Sequence, residues 1–212
     1  MIKGVIFDLD GVLVDTDEFH YLSWKQLTDR LGLPFDRTVN DKLRGISRMD
    51  SLEIILGRRS GEFSDGQKLA IATEKNEIFR SHLATMSPSS VDGATRQTLL
   101  LIRQAGFKTA VGSSSKNAQY ILERVELGKY FDAEVDANAI ANSKPHPQVF
   151  LKAATRLGLD PAECLVVEDG HSGIDAAKAG GFVAVAIGDA KSLQRADYRI
   201  DTLSDILKIL GA

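Results

Sequence analysis

The sequence predicts an α/β protein, a doubly wound parallel sheet with an inserted α-helical cap. Three observations predict it. A short apolar run, Gly4-Val5-Ile6-Phe7, ends in two carboxylates and a glycine, Asp8-Leu9-Asp10-Gly11. Residues 16–87 then carry helical periodicity with no convincing strand. From Asp92 the chain alternates helix and strand, which implies parallel strands with helices on both faces.

Gly4 to Phe7 reads as a buried strand. His20, Trp24, Leu27 and Leu31 then share one face of a helix ended by Gly32 and Pro34. Asp41 to Leu56 and Gln67 to Leu83 read as further helices, with Gly57 to Gly66 as a polar turn. Gly93-Ala94 to Gln104 reads as a helix closed by Gly106, and Phe107 to Val111 as a strand. Asn117 to Leu127 reads as a helix and Ala133-Glu134-Val135 as a short strand. Pro147 to Leu157 follows as a helix with proline at its start. Cys164 to Val167, Gly173 to Ala179 and Phe182 to Ile187 complete the rhythm as strand, helix and strand. The division expected is a discontinuous core, residues 1–15 and 88–212, with a cap of residues 16–87 docked over the strand ends.

Composition agrees. The 212 residues are 43% hydrophobic and 26% charged, as in an ordinary globular protein. No apolar run approaches the roughly 20 residues that span a bilayer. Met1-Ile2-Lys3 runs straight into the first strand, leaving no room for a signal peptide, and a cytoplasmic protein is expected. The one cysteine, Cys164, begins an apolar strand and reads as a core residue. A net charge of −3 without a basic tract argues against nucleic-acid binding.

The carboxyl ends of strands are where open α/β sheets place their sites. Asp8 and Asp10, at i and i+2 of an extended segment, point the same way and can converge. Two close anions need a cation, a proton or a transferred group between them. Each such residue also has a structural reading. Ser113 could be a turn residue or a helix cap, Lys144 a loop lysine, and Glu168-Asp169 the cap of the next helix.

Four motifs in order resemble those of the haloacid dehalogenase superfamily of phosphoryl-transfer enzymes, across almost the whole chain. They are Phe7-Asp8-Leu9-Asp10-Gly11-Val12, Val111-Gly112-Ser113-Ser114-Ser115, Ser143-Lys144-Pro145-His146-Pro147 and Leu165-Val166-Val167-Glu168-Asp169-Gly170. The resemblance implies a Rossmann-like core with Asp8 as nucleophile and Asp10 as general acid–base. It also implies Ser113 as the phosphate-binding hydroxyl and Lys144 as the site cation. Mg²⁺ is implied as cofactor, held by Asp8, Asp10, Glu168 and Asp169, with Asp10 ligating through its backbone carbonyl. The chemistry is consistent: hard oxygen ligands suit Mg²⁺, and phosphoryl transfer needs a nucleophile, an acid–base group and positive charge.

Within the cap, the resemblance narrows to the β-phosphoglucomutase family. The segment from Asp15-Thr16-Asp17-Glu18-Phe19-His20 to Trp24 resembles that family's lead into the cap, and Leu43-Arg44-Gly45-Ile46-Ser47-Arg48 with Ser51 its specificity loop. Lys75-Asn76 resembles the cap lysine segment, and Ser114-Ser115-Lys116-Asn117 the loop that touches a distal phosphate. Substrate contacts are therefore expected at Thr16, His20, Trp24, Gly45, Ile46, Ser47, Arg48, Ser51, Lys75, Ser114, Ser115, Lys116 and Asn117. Arg48 offers a planar fork for phosphate, and Gly45 lets backbone approach a ligand. His20 could instead be a helix-face residue beside Trp24, and Arg48 or Lys75 a solvated charge. Gly170-His171 and Asp92-Gly93 depart from familiar members.

The implied activity interconverts β-D-glucose 1-phosphate and glucose 6-phosphate through phosphorylated Asp8, with β-glucose 1,6-bisphosphate as phosphoryl donor and intermediate. The partner expected is this small sugar phosphate, with no membrane and no nucleic acid, and the chain is expected as a monomer. A Mg²⁺-dependent hexose-phosphate phosphatase shares the core chemistry, and a non-catalytic sugar-phosphate sensor would share the pocket.

Overall fold

The computed structural model describes residues 1–43 and 46–212. Strand β1 (Gly4–Phe7) leads into four helices, α1 (Asp17–Leu31), α2 (Arg37–Asp41), α3 (Arg48–Leu56) and α4 (Asp65–Leu83). Then come α5 (Gly93–Gln104), β2 (Lys108–Gly112), α6 (Ala118–Arg124), β3 (Ala133–Val135) and α7 (Gln148–Leu157). The chain finishes with β4 (Cys164–Glu168), α8 (His171–Ala179), β5 (Val183–Ala186), β6 (Tyr198–Arg199) and α9 (Ile206–Leu210).

The strands pair in parallel in the order β3-β2-β1-β4-β5-β6. Strand order therefore reverses beside β1, and such a reversal opens a crevice at the carboxyl ends of the strands. Alternation along β1 sends Val5 and Phe7 to one face and Ile6 to the other. Leu99 and Ile102 of α5, Ile121 of α6 and Ile206 of α9 cover the first face. Val149 and Phe150 of α7 and Ile174 of α8 cover the second. The sheet is doubly wound, as predicted.

Helices α1, α3 and α4 enclose a third cluster around Trp24, Leu27, Leu52, Ile55 and Ile71. The far end of α4 leaves it, and Phe79 and Leu83 join the cluster on the sheet. This helix starts at a capping box between Ser64 and Gln67, and its length lets it enter both apolar clusters. Helix α1 ends where predicted, with Gly32 at φ +62°, a conformation that favours glycine.

Four expectations need correction. The helix expected over Asp41 to Leu56 is two helices. Helix α2 starts earlier, capped by Asp36, whose carboxylate accepts from Val39 N at 2.9 Å. Helix α3 starts afresh at Ser47, whose extended backbone and hydroxyl cap Asp50 N. Gly57–Glu62 winds as a 3-10 helix inside the expected polar turn, and α6 stops short of Leu127. Beyond the last predicted strand lies β6, whose two residues, Tyr198 and Arg199, are exposed and too few to show an alternation. Among the described residues, no helix is long and apolar enough to cross a membrane.

Candidate active site

Register assembles the site. Phe7 pairs with Val111 on one side and Val167 on the other, so Asp8 stands level with Gly112 and Glu168. Ser113 follows directly, and Lys144 arrives on the loop before α7. Gly112 permits the close approach of that helix, because a Cβ there would lie 2.8 Å from the Phe150 ring. The ring in turn sits 4.7 Å below Lys144 Nζ.

Lys144 is 3% exposed, and its Nζ donates to Asp8 Oδ1 and Glu168 Oε1, both at 2.5 Å. Burial alone would drive its pKa down. The two carboxylates overcome that and hold it above the usual lysine range, so the side chain is a permanent cation. Ser113 is fully buried, and its hydroxyl accepts from Ser115 N at 3.0 Å, leaving the hydroxyl hydrogen to donate elsewhere. Ser114 Oγ is buried with no partner among the described residues.

Asp8, Glu168 and Asp169 each present a carboxylate oxygen, and these lie within 4.8 Å of one another. Burial and the neighbouring carboxylates raise the pKa of both Glu168 and Asp169, despite Lys144. The cluster thus carries more negative charge than one lysine compensates. Two glycines make room for it: a Cβ on Gly11 would fall 2.0 Å from Asp169 Oδ2, and one on Gly173 would fall 1.8 Å from Glu168 Oε1. A donor set of oxygens alone, with excess negative charge, fits Mg²⁺. The Asp10 carboxylate lies outside this set. Its Oδ1 accepts from the Thr16 hydroxyl, and burial followed by repulsion from Asp8 pushes its pKa up to about 6. That value suits a group that takes and returns a proton near neutrality.

Thr16 precedes α1, where a threonine hydroxyl ordinarily caps the helix; here it serves Asp10 instead. His20 is paired with Lys75, its Nδ1 2.8 Å from Lys75 Nζ and its ring against Phe79. Burial holds both groups well below their usual pKa values. Lys75 is 2% exposed, between the rings of Trp24 and Phe79. The Arg48 charge lowers its pKa further, and Asp10 opposes that.

The other expected contacts gather where cap meets core. Arg48 Nη2 donates to Asn76 Oδ1 at 2.7 Å, and Asn117 Nδ2 donates to the same oxygen at 2.9 Å. Asn117 Oδ1 accepts from Arg80 Nη1 at 3.2 Å. Asn117 N donates to Ser115 Oγ, and Lys116 is exposed beside them. Ser51 is buried, and Ile46 packs against the cap cluster. Ser47 and Asp50 line a cleft of about 660 Å³ against Asn142, Ser143, Lys144 and His146 of the core. Gly45 lies outside the described residues. Asn76 and Arg80 carry no predicted role of their own, and their i, i+4 spacing on α4 shows only that they share a face.

The chain matches the haloacid dehalogenase-like hydrolase family over residues 2–181, and it belongs to that family. It is accordingly a Mg²⁺-dependent phosphotransferase by class. A curated β-phosphoglucomutase of Bacillus subtilis is 37% identical over 207 residues, covering 97% of this chain and 92% of the relative. A fructose-1-phosphate phosphatase of Escherichia coli is 32% identical, covering 87% of this chain and 95% of its own. The crystal structure of a β-phosphoglucomutase from Clostridium difficile superposes with a TM-score of 0.93 at 33% identity, covering 100% and 96% of the two chains.

Proposed function

We propose that the chain interconverts β-D-glucose 1-phosphate and glucose 6-phosphate through an aspartyl phosphate on Asp8 and a β-glucose 1,6-bisphosphate intermediate. In this reading residues 1–15 and 88–212 form the catalytic core, and residues 16–87 the cap that selects the substrate. The observation that carries it is a second set of donors besides Lys144, in which Arg48 of the cap and Asn117 of the core converge on Asn76. A bisphosphate needs two such poles; a phosphatase acting on a monophosphate needs one.

Asp8 attacks phosphorus while Lys144 neutralises both the attacking carboxylate and the equatorial oxygens. Ser113 donates its hydroxyl hydrogen to the phosphoryl group. Asp10, released from Thr16, removes the proton of the sugar hydroxyl and later returns it to a leaving oxygen. Mg²⁺, held by Asp8, Glu168, Asp169 and the Asp10 carbonyl, would supply further charge neutralisation at the transferred group. Cap closure excludes water, so the acyl phosphate passes to sugar rather than hydrolysing.

The phosphatase reading rests on the Escherichia coli relative. Phosphorus NMR of β-glucose 1-phosphate with Mg²⁺ and a trace of glucose 1,6-bisphosphate separates the two. Glucose 6-phosphate as dominant product, lost in Asp8→Asn, is expected. Dominant free phosphate would overturn the mutase in favour of the phosphatase.

A further inference from the structure

The second pole is organised by a residue that is itself no cation. Asn76 Oδ1 accepts from Arg48 of α3 at 2.7 Å and from Asn117 of the core loop at 2.9 Å. The orientation of both amides follows from chemistry. Arginine only donates, so the atom of Asn76 facing Arg48 is its oxygen. Asn117 must then offer its Nδ2 to that oxygen, which leaves its Oδ1 for Arg80, again a pure donor. The four-membered chain Arg48–Asn76–Asn117–Arg80 has arginine at each end, and donation from both ends converges on the Asn76 oxygen.

Asn76 and Arg80 lie one turn apart on α4 and grip the same core side chain. Asn117 is 4% exposed, and Arg80 is steadied by the Tyr120 ring 4.5 Å from its guanidinium. The preceding residue, Lys75, is paired with His20. One helix therefore contacts α1, α3 and the core loop through successive side chains. Two donors from separate domains converge on one neutral oxygen, an arrangement that suits an anionic oxygen arriving between them.

We propose that Asn76 is a positioning residue, which holds the cap's Arg48 and the core's Asn117 side by side to receive the non-transferring phosphate of a sugar phosphate. The proposal rests on the two-pole reading above and deepens it. Without the Asn76 oxygen, Arg48 loses its tie to the core, and the distal phosphate must gather its donors itself. The nucleophile's end is untouched, because its contacts run through Lys144, Thr16 and Lys75.

The test compares donors with and without a second anchoring point. Acetyl phosphate can phosphorylate Asp8 but offers nothing to the second pole. For Asn76→Ala, KM for glucose 1-phosphate is expected to rise about tenfold, the loss of one charge-assisted hydrogen bond. Acetyl phosphate turnover should stay within about twofold, as for a change outside the reacting centre. Asn76→Asp keeps the acceptor oxygens and the fold, but its charge competes with phosphate for Arg48, so KM should rise there too. Unchanged KM in both variants would overturn the proposal. So would equal losses with both donors, which mark a merely structural role. If the wild type yields no glucose 6-phosphate, the mutase reading fails separately, and the comparison is run with the hexose phosphate it does hydrolyse.

Discussion

The two ends of the site follow opposite electrostatic plans. Around Asp8, buried carboxylates crowd a single lysine, and the cluster is short of positive charge. Around Asn117, two arginines are joined by two neutral amides. The first end is incomplete without a cation, the second without an anion. Under the proposed function the difference separates chemistry from recognition: charge held in the core would act on any phosphoryl group, whereas charge divided between cap and core would act only when the two are together.

Replacing Lys144 with Met should break the first end most severely. Asp8 and Glu168 would stay buried without their cation, costing about 3–5 kcal/mol. Turnover should vanish and the urea midpoint fall; a midpoint equal to wild type would contradict the role of this pair. Next, Asp10→Asn should lower turnover by about 10²- to 10⁴-fold, the range of a lost acid–base group, while leaving the fold intact by circular dichroism.

The acidic end should also sharpen the contrast through pH. Burial and Asp8 raise Asp10 to about 6, and burial raises Glu168 and Asp169 as well. The metal-free native state then holds protons that the unfolded chain has already released above about pH 4, so stability falls as pH rises through this window. Mg²⁺ relieves the repulsion. Thermal melts with Mg²⁺ and with chelator should differ more at pH 8 than at pH 5, and a gap that shrinks with pH would refute this.

At the second end, Arg48→Lys keeps the charge but loses the planar fork, so KM should rise by roughly tenfold with kcat little changed. Steady-state kinetics on the two parameters decides it. The smallest effect is expected at His171, an exposed residue at the start of α8 with its Nε2 3.3 Å from Ser192 Oγ. Turnover of His171→Ala should stay within about twofold, as for other exposed positions. A larger loss would extend the acidic end to include it.

The sequence made the core legible because its key residues sit at ends of short apolar strands. The register that brings Asp8 level with Glu168 follows from strands that were all visible as patterns. What it hid was relational. Helix α4 shows several charges and amides along its length, and nothing in their spacing says which stripe meets Asn117. His20 carried two readings, and neither paired it with Lys75, because that contact depends on how α1 crosses α4. The break between α2 and α3 was legible in Ser47 and Asp50 but was overruled by the apolar rhythm running past them.

The position of β1 has a consequence for how the protein is made. The middle strand of the sheet is the first one synthesised, and its neighbours are residues 108–112 and 164–168. At ordinary ribosomal speeds, on the order of 10–30 s separate its appearance from that of β4. During that interval the helices around Trp24 and Leu52 can bury their own apolar surface, while the leading strand waits for partners. The cap helices are therefore expected to emerge from the ribosome well before the strands that complete the sheet on either side of Asp8.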